Sequence, residues 1–287
     1  MGFEGAAIEF LLCAREAGLS FNRVLTIGRQ GLHVDQAELA AMLRSHGLDP
    51  SQAASLLSRD RGFAEPLLEY CGAGSVDSLD VSAYEGATIV HDMNLPLPDR
   101  LRERYTLVVD GGSLEHVFHY TVALRNCMEA VASGGHFATI TPANNLMGHG
   151  FYQLSPELFF RALSPENGFE MVRLALFETP WNGSWFEVAD PQQVHSRVEL
   201  SGGRPAYLLV CARRVSVRPV FEGTPQQSDY SALWNETHGR MLSVADTRPA
   251  PLVRWKRLIP GPGLDLYRRL RPFHPRLFRR RTGDFFR

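Results

Sequence analysis

Five short apolar runs of the sequence end in glycine or in polar residues. These endings are Gly28, Asp80, His91-Asp92-Met93, Asp110-Gly111-Gly112 and Thr141-Pro142-Ala143-Asn144. A carboxylate that closes a strand can accept hydrogen bonds from both hydroxyls of a ribose, and a tight glycine turn lets the backbone approach a ligand. The pattern therefore predicts a site for a sugar-bearing cofactor. The interval from Gly28 to Asp80 is longer than the roughly 20 residues of a dinucleotide fingerprint, which disfavours a nicotinamide dinucleotide.

A second group of residues can move a proton or hold a polar small molecule. Glu115, His116 and His149 are candidates for a catalytic base, because each can accept a proton within hydrogen-bond reach. His149 is favoured, since it lies in a loop between two glycines, beside donors and acceptors suited to a polar substrate. Those predicted substrate-binding residues are Asn144, Asn145, Tyr152 and Gln153.

The same histidines raise the alternative of a metal site. His116 and His119 lie three residues apart on a predicted helix, so they share a face and could hold a metal with Glu115 or His149. No cysteine pair joins them, and the favoured interpretation is that Glu115 and His116 cap the start of the helix. We therefore predict no metal.

The strand ends need an open parallel sheet to bring them together. Apolar runs alternate with helical periods along the chain, which predicts a Rossmann-like, doubly wound α/β domain with a mostly parallel sheet of seven strands. The predicted strands are 23–28, 75–80, 87–90, 105–110, 136–141, 169–177 and 206–212. After Ser216 the composition shifts towards proline, arginine and aromatic residues, and the strand pattern does not resume. We expect one domain over 1–215 and an irregular extension over 216–287.

The net charge and the composition limit the kinds of partner and the compartment that we expect for this protein. The formal net charge of −1 offers no overall field for nucleic acid, and we expect none to bind. The four cysteines form no paired motif, and no apolar run approaches the length of a membrane span, so we expect a cytoplasmic protein in a reducing compartment. The tail from Arg268 to Arg287 interleaves arginine with phenylalanine, which is compatible with weak peripheral membrane contact or with docking on its own domain. A dimer arm is a further alternative for the extension.

The order of these features resembles the class I S-adenosylmethionine-dependent methyltransferases over roughly residues 22–214. Their marks here are the Gly28 turn, the acidic strand ends and the Gly134-Gly135 turn before a strand. More narrowly, the segment 110–118, DGGSLEHVF, and the segment 141–157, TPANNLMGHGFYQLSPE, resemble a bacterial group generally labelled as methyltransferases. We know no assigned acceptor for that group.

The resemblance implies a cofactor site position by position. Gly28, Arg29 and Gln30 would face the methionine part of S-adenosylmethionine, and Asp80 would hold the ribose. His91, Asp92 and Met93 would border the adenine. Asp110 and Gly111 would lie beneath the methionine. The family's first turn is usually rich in glycine, whereas this chain has Arg29-Gln30, whose side chains could contact the cofactor carboxylate in place of backbone groups.

The sequence thus favours a methyltransferase that acts on a small polar or sugar-containing acceptor. Two alternatives stay open at this point. The altered first turn is compatible with an enzyme that keeps the fold but carries out another reaction. It is also compatible with a binding protein whose degenerate pocket has no catalytic role.

Overall fold

A nine-stranded sheet organises the computed structural model, which describes residues 2–230, 278–282 and 285–286. The strands in chain order are β1 Gly2–Phe3, β2 Arg23–Ile27, β3 Gly31–Leu32, β4 Ser75–Asp80, β5 Ile89–Val90, β6 Tyr105–Gly111, β7 Val131–Asn144, β8 Phe169–Glu178, β9 Ser184–Val188, β10 Ala206–Arg214 and β11 Phe278–Thr282. The α-helices are α1 Gly5–Glu16, α2 Gln36–Ser45, α3 Ala53–Ser58, α4 Glu65–Tyr70, α5 Tyr120–Ala130, α6 Pro156–Ala162 and α7 Pro191–Val194.

The strand order is β11-β9-β8-β10-β7-β6-β2-β4-β5. From β5 to β7 all neighbours pair in parallel, whereas β10 is antiparallel to both β7 and β8. After β2 the chain adds β4 and β5 on one side, and it then returns to place β6 and β7 on the other side. This reversal beside β2 confirms the doubly wound, Rossmann-like fold predicted from the sequence.

Both faces of the sheet are covered, which explains the continuous apolar run of β6. Leu107 and Val109 point into the core beneath α1 and α2, while Val108 points into the core beneath α5 and α6. Since side chains alternate along a strand, a strand buried on both faces needs apolar residues at every position. The same reason accounts for the clear signal of this strand in the sequence.

Several boundaries differ from the sequence-based predictions. The predicted helix after Gly112 is broken: a 3-10 turn, Leu114–His116, comes first, and α5 starts at Tyr120. The prediction that His116 and His119 share one helical face is therefore wrong. A helix that includes both His116 and His119 would need an unbroken run of hydrogen-bonded amides. The 3-10 turn instead ends at His116, and the backbone of Val117 is extended.

The strand count of seven is also wrong for the main sheet, because β9 and β11 add an antiparallel pair at its edge. The prediction that no strand follows Ser216 failed at β11. An edge strand is held by backbone hydrogen bonds and tolerates charged side chains, so the sequence Phe-Arg-Arg-Arg-Thr carries no apolar alternation to detect. The short pair β1 and β3 lies in a separate two-stranded sheet.

Part of the predicted basic tail docks on its own domain. Phe278 and Phe285 are buried, and the ring of Phe285 lies 5.0 Å from that of Phe10 and 5.6 Å from that of Trp185. The rest of the predicted tail, including Phe273, lies outside the described residues. None of the described helices combines the length and the hydropathy that a bilayer crossing requires.

A histidine between two carboxylates ties α2 to α1. The two ring nitrogens of His46 lie 3.0 Å from carboxylate oxygens of Glu9 and Glu16. The hydrogen bond to Glu9 raises the pKa of His46 above 6.5, with Glu16 adding to the effect, although burial opposes it. Because the folded-state pKa is raised, this stabilisation is fully present below pH 6.5 and is lost as pH rises through the folded value.

We therefore expect wild type to exceed His46→Gln in free energy of unfolding at acidic pH, by roughly 0.5–1 kcal/mol for a partly exposed ion pair. The difference should shrink as the pH rises above neutrality. Urea denaturation across this range measures it, with the exposed His195→Asn as control. A difference that is flat with pH, or that grows as the pH rises, would contradict the assignment.

Candidate functional site

The carboxyl ends of β2 and β6 meet where the strand order reverses. These two strands pair in parallel, with Ile27 opposite Asp110, and β4 lies on the other side of β2. The structure thus brings the predicted residues Gly28, Gln30, Asp110 and Gly111 to the point where doubly wound sheets bind their ligands.

A buried carboxylate joins three strands at this point. Asp110 is fully buried; one oxygen accepts the backbone N–H of Ser113 at 2.9 Å, and the other accepts the Thr139 hydroxyl at 2.7 Å. The Ser113 hydroxyl donates to the carbonyl of Ile27 at 2.7 Å and accepts the Gln30 amide at 3.0 Å. We call these five residues the Asp110 network. Burial raises the pKa of Asp110 to about 6, although the hydrogen bonds from Thr139 and Ser113 oppose the shift.

The side chains of the first turn already have partners within the protein. Gly28 adopts a φ of 71°, which favours glycine, and its N–H donates to the carbonyl of Leu79 at 2.7 Å. Arg29 forms an ion pair with Glu65 at 2.6 Å and lies 4.1 Å above the ring of Phe63. Arg29 is therefore held on the outer side of the turn.

Gln30 points the other way, into the sheet. Its amide nitrogen is bound within the Asp110 network, but its amide oxygen is buried and takes no hydrogen bond from the described residues. Gly111 adjoins this oxygen, since a Cβ on Gly111 would lie 2.8 Å from it and 2.6 Å from the ring of Phe3. Phe3 reaches this position because β1 pairs with β3, directly after the first turn.

The predicted ribose and adenine residues follow β4 and β5. Asp80 is half-buried, and its carbonyl accepts the N–H of His91 at 2.8 Å, so the ends of the two strands are adjacent. The backbone and side chain of Asn94 donate to Asp92 and lower the pKa of that carboxyl. Met93 is buried in the core, whereas His91 and Asp92 are half-exposed.

The three predicted base residues lie together, and we call them the Glu-His-His cluster. Glu115 and His116 come from the 3-10 turn after β6, and His149 comes from the loop after β7. Their ligand atoms lie within 4.8 Å of one another, and Glu115 Oε1 is 3.3 Å from His149 Nε2. The structure does not bring His119 into this cluster.

The three members differ in environment. Glu115 is fully buried, and neither of its carboxylate oxygens takes a hydrogen bond from the described residues. Burial, reinforced by Asp110, raises the pKa of Glu115 to about 8. The backbone N–H of Glu115 acts in the opposite direction and lowers this pKa, but it forms no hydrogen bond to either carboxylate oxygen. Burial and then His149 lower the pKa of His116, whose side chain is exposed. The side chain of His149 is 42% exposed, so the cluster has a buried acid and an open rim.

Backbone contacts fix the His149 loop against Glu115. The N–H of Phe151 donates to the carbonyl of Glu115 at 2.8 Å, and the N–H of His149 donates to that of Leu146 at 2.9 Å. Gly150 has a φ of 72°, and a Cβ there would lie 2.9 Å from the Glu115 carbonyl. Only glycine satisfies both conditions at this position without strain.

The predicted substrate residues belong to the end of β7 and to the same loop, and the side chains of three of them form hydrogen bonds within the protein. Asn145 donates to two carbonyl oxygens of the loop 202–204, and the side-chain oxygen of Gln153 accepts the N–H of Leu146. Tyr152 donates its hydroxyl to the carbonyl of Phe118. Asn144 ends β7, opposite Ala206. Their contact with a substrate stays a prediction.

Residues that sequence reasoning missed build the frame of the site. Phe3 lacked a signal, because a two-residue strand that pairs far along the chain has no local pattern. Ser113 stands three residues after Asp110, a spacing typical of a carboxylate that accepts a backbone N–H, and that signal was available. Tyr120 was also missed: its hydroxyl is buried and takes no hydrogen bond from the described residues.

A cavity of about 590 Å³ lies away from these residues, between α6, β8 and β9. It is lined by Phe160, Met171, Glu187 and their neighbours, and none of the predicted site residues contributes to it. Arg161 and Asp190 form an ion pair at its rim. The predicted site residues therefore lie at the strand ends and in the loops that follow them, and not in this cavity.

No family model matches the chain, and no curated protein matches it. Among solved structures, an S-adenosylmethionine-dependent methyltransferase from Mesorhizobium loti is 17% identical, over 70% of this chain and 96% of that chain, with a TM-score of 0.39. The [4+2]-cyclase SpnF is 12% identical over 72% and 79%, with a TM-score of 0.39. The methyltransferase CalH, in complex with S-adenosylhomocysteine, is 13% identical over 72% and 55%, with a TM-score of 0.38. These identities restrict the likeness to the fold.

The Asp110 network predicts a specific loss of stability. Thr139→Val keeps the shape of the side chain but removes the hydroxyl that donates to Asp110, and a buried group that loses its partner costs about 1–3 kcal/mol. The matched control is Thr121→Val, at an exposed position of α5. Urea denaturation should show the loss for Thr139→Val alone. Equal, small changes in both variants would show that the network does not stabilise the strand ends.

Proposed function

We propose that the chain is an S-adenosylmethionine-dependent methyltransferase that acts on a small polar or sugar-containing acceptor. The observation that carries the proposal is the position of Gly28, Asp80 and Asp110 at the carboxyl ends of neighbouring strands, where strand order reverses. A doubly wound sheet binds its ligand at this point. The resemblance stated from the sequence supplies the identity of the cofactor.

The residues of the first turn fit the methionine part of such a cofactor. The buried oxygen of Gln30 has no partner among the described residues, and it lies beside the backbone of Gly111. It can accept a hydrogen bond from an ammonium group that lies over Gly28 and Gly111. Arg29 already pairs with Glu65, so we assign the contact in the first turn to Gln30 rather than to Arg29.

The other contacts follow the ends of β4 and β5. Asp80 is half-buried and can accept hydrogen bonds from both ribose hydroxyls. His91 and Asp92 would border the adenine from the next strand end, with the buried Met93 beneath them. Asp110 lies under Gly111 and would act on the cofactor through the backbone that it holds in place.

S-adenosylmethionine would supply a methyl group on a sulfonium. The thioether that remains after transfer is a good leaving group, so the protein need not form a covalent bond to the substrate. The residues of the chain must then align the acceptor with the methyl group and receive its proton when the acceptor is a hydroxyl or an ammonium. We assign the proton to the Glu-His-His cluster, with His149 at the exposed rim as the favoured acceptor. The polar groups of the loop 144–153 would orient the acceptor.

A specific observation favours one alternative. Both side chains of the altered first turn are bound within the protein, Arg29 by Glu65 and Gln30 by Ser113. A pocket built this way suits an enzyme that keeps the fold and binds the cofactor without transferring its methyl group. Binding of the cofactor without its demethylation in the presence of any acceptor would support this alternative.

A further alternative is a binding protein with no catalytic role. In that case Asp80→Ala and Asp110→Ala would change the stability of the protein but not its binding of the ligand.

Isothermal titration with S-adenosylmethionine and with its demethylated product tests the cofactor. We expect both to bind to the full chain, because both carry the ribose and the methionine backbone that the strand ends would contact. Absence of binding by either compound at millimolar concentration would rule out the proposal.

Asp80→Ala should weaken cofactor binding by about tenfold or more, because a hydrogen bond to a charged group contributes roughly 1.5–3 kcal/mol. The matched control is Asp99→Ala, at a carboxylate that is 97% exposed. Titration calorimetry gives the two Kd values, and urea denaturation shows whether each variant is folded. If Asp80→Ala and Asp99→Ala bind equally well, Asp80 does not hold the ribose.

A further inference from the structure

We propose that the Glu-His-His cluster binds a divalent transition-metal ion through Glu115, His116 and His149. Two imidazoles and one carboxylate form a ligand set typical of zinc sites that keep one coordination position open. The sequence alone disfavoured a metal, because no cysteine pair joins these histidines and Glu115 and His116 were expected to cap a helix. The structure removes His119 and brings His149 to the cluster instead.

The distances within the cluster suit a small ion. Glu115 Oε1 and His149 Nε2 are 3.3 Å apart. Two ligands of a tetrahedral zinc ion, each bound at roughly 2.0–2.2 Å, are separated by roughly 3.3–3.6 Å. The ligand atom of His116 lies within 4.8 Å of the other two, and the rings of His116 and His149 are 5.1 Å apart. A rotation of the exposed His116 side chain closes the remaining gap.

The unpartnered carboxylate of Glu115 is the second, independent sign of a ligand. Its side chain is buried, and neither oxygen takes a hydrogen bond from the described residues; the nearest ring nitrogen, His149 Nε2, lies 3.3 Å from Oε1. A buried carboxylate without a donor is costly, which is why buried charges are paired or coordinate metals. Asp110 shows the contrast, because both of its carboxylate oxygens accept hydrogen bonds.

The backbone holds the cluster in its present arrangement. The bond from Phe151 to the Glu115 carbonyl joins the His149 loop to the 3-10 turn, and the turn at Gly150 allows this close approach. Ligands supplied by two segments that are already bonded to each other lose little freedom when an ion binds. Glu115 and His149 are therefore held close together before an ion arrives, and only the His116 side chain has to rotate.

Another group of potential ligands in the described residues lacks these properties. Glu9, Cys13 and His46 also lie close together, but His46 pairs with Glu9 and with Glu16, each at 3.0 Å. Its ring nitrogens are thus already occupied by carboxylates. This difference favours the Glu-His-His cluster as the metal site.

The open rim gives the ion a role in the proposed reaction. His116 and His149 are exposed, so the remaining coordination position faces solvent and can take a water or an acceptor oxygen. In that case His149 would be a ligand rather than the proton acceptor, and a hydroxyl acceptor bound to the ion would release its proton to solvent water at the open rim. This role rests on the proposed function, whereas metal binding itself does not.

Cobalt(II) titration of the chelator-treated full chain tests the site, because the visible absorption of bound cobalt reports its coordination. We expect one equivalent to bind with the spectrum of a four- or five-coordinate nitrogen and oxygen site, and zinc to displace it. His149→Ala should weaken cobalt binding by at least about tenfold, since it removes one of three ligands. Glu115→Gln should do the same.

The matched control is His119→Ala, which removes a neighbouring exposed histidine outside the cluster and should leave cobalt binding unchanged. Because Glu115 is buried and its substitution also alters the packing of the turn, the decisive comparison is between the exposed His149 and His119. No stoichiometric cobalt binding by wild type would overturn the proposal, and so would equal affinities of wild type and His149→Ala. Cofactor titration of the metal-free chain is a separate measurement, so failure of the metal site is distinguishable from failure of the methyltransferase proposal.

Discussion

The buried carboxylate of Asp110 is the constraint on which the strand ends depend. A carboxyl group in the core is costly without hydrogen-bond donors, and for Asp110 the donors are the backbone of Ser113 and the hydroxyl of Thr139. Because Ser113 also binds Ile27 and Gln30, the strands β2, β6 and β7 are joined through one group. The positions of the first turn and of the 3-10 turn after β6 both follow from this arrangement.

Two buried acids close together thus have different environments. Asp110 has its partners within the chain, whereas Glu115 lies beside two exposed histidines with no hydrogen bond to either oxygen. The first arrangement stabilises the fold, and the second leaves a group that a ligand can satisfy. The proposed cofactor and acceptor sites would therefore be neighbours at one edge of the sheet, with Asp110 between them.

The sequence predicted the sheet well where burial forces a pattern. The run from Tyr105 to Asp110 is largely apolar because both faces of β6 are covered, and the strand predicted over 105–110 is confirmed as β6. Predictions failed where pairing is distant or depends on the backbone alone, as in the contact of β1 with β3 and at the edge strand β11. The cluster was predicted by residue type, but its geometry was not. The proximity of His149 to Glu115 depends on a loop turn at Gly150, which no local period encodes.

The central claim is that the strand ends at the reversal of the sheet hold S-adenosylmethionine. A crystal of the full chain soaked with this compound tests the claim most directly. We predict density along Gly28, Asp80 and Asp92, with the ribose hydroxyls within hydrogen-bond distance of the Asp80 carboxylate and the methionine above Gly111. The methyl group should point towards the loop that carries His149. Density for the compound elsewhere on the protein, with these strand ends empty, would contradict the account.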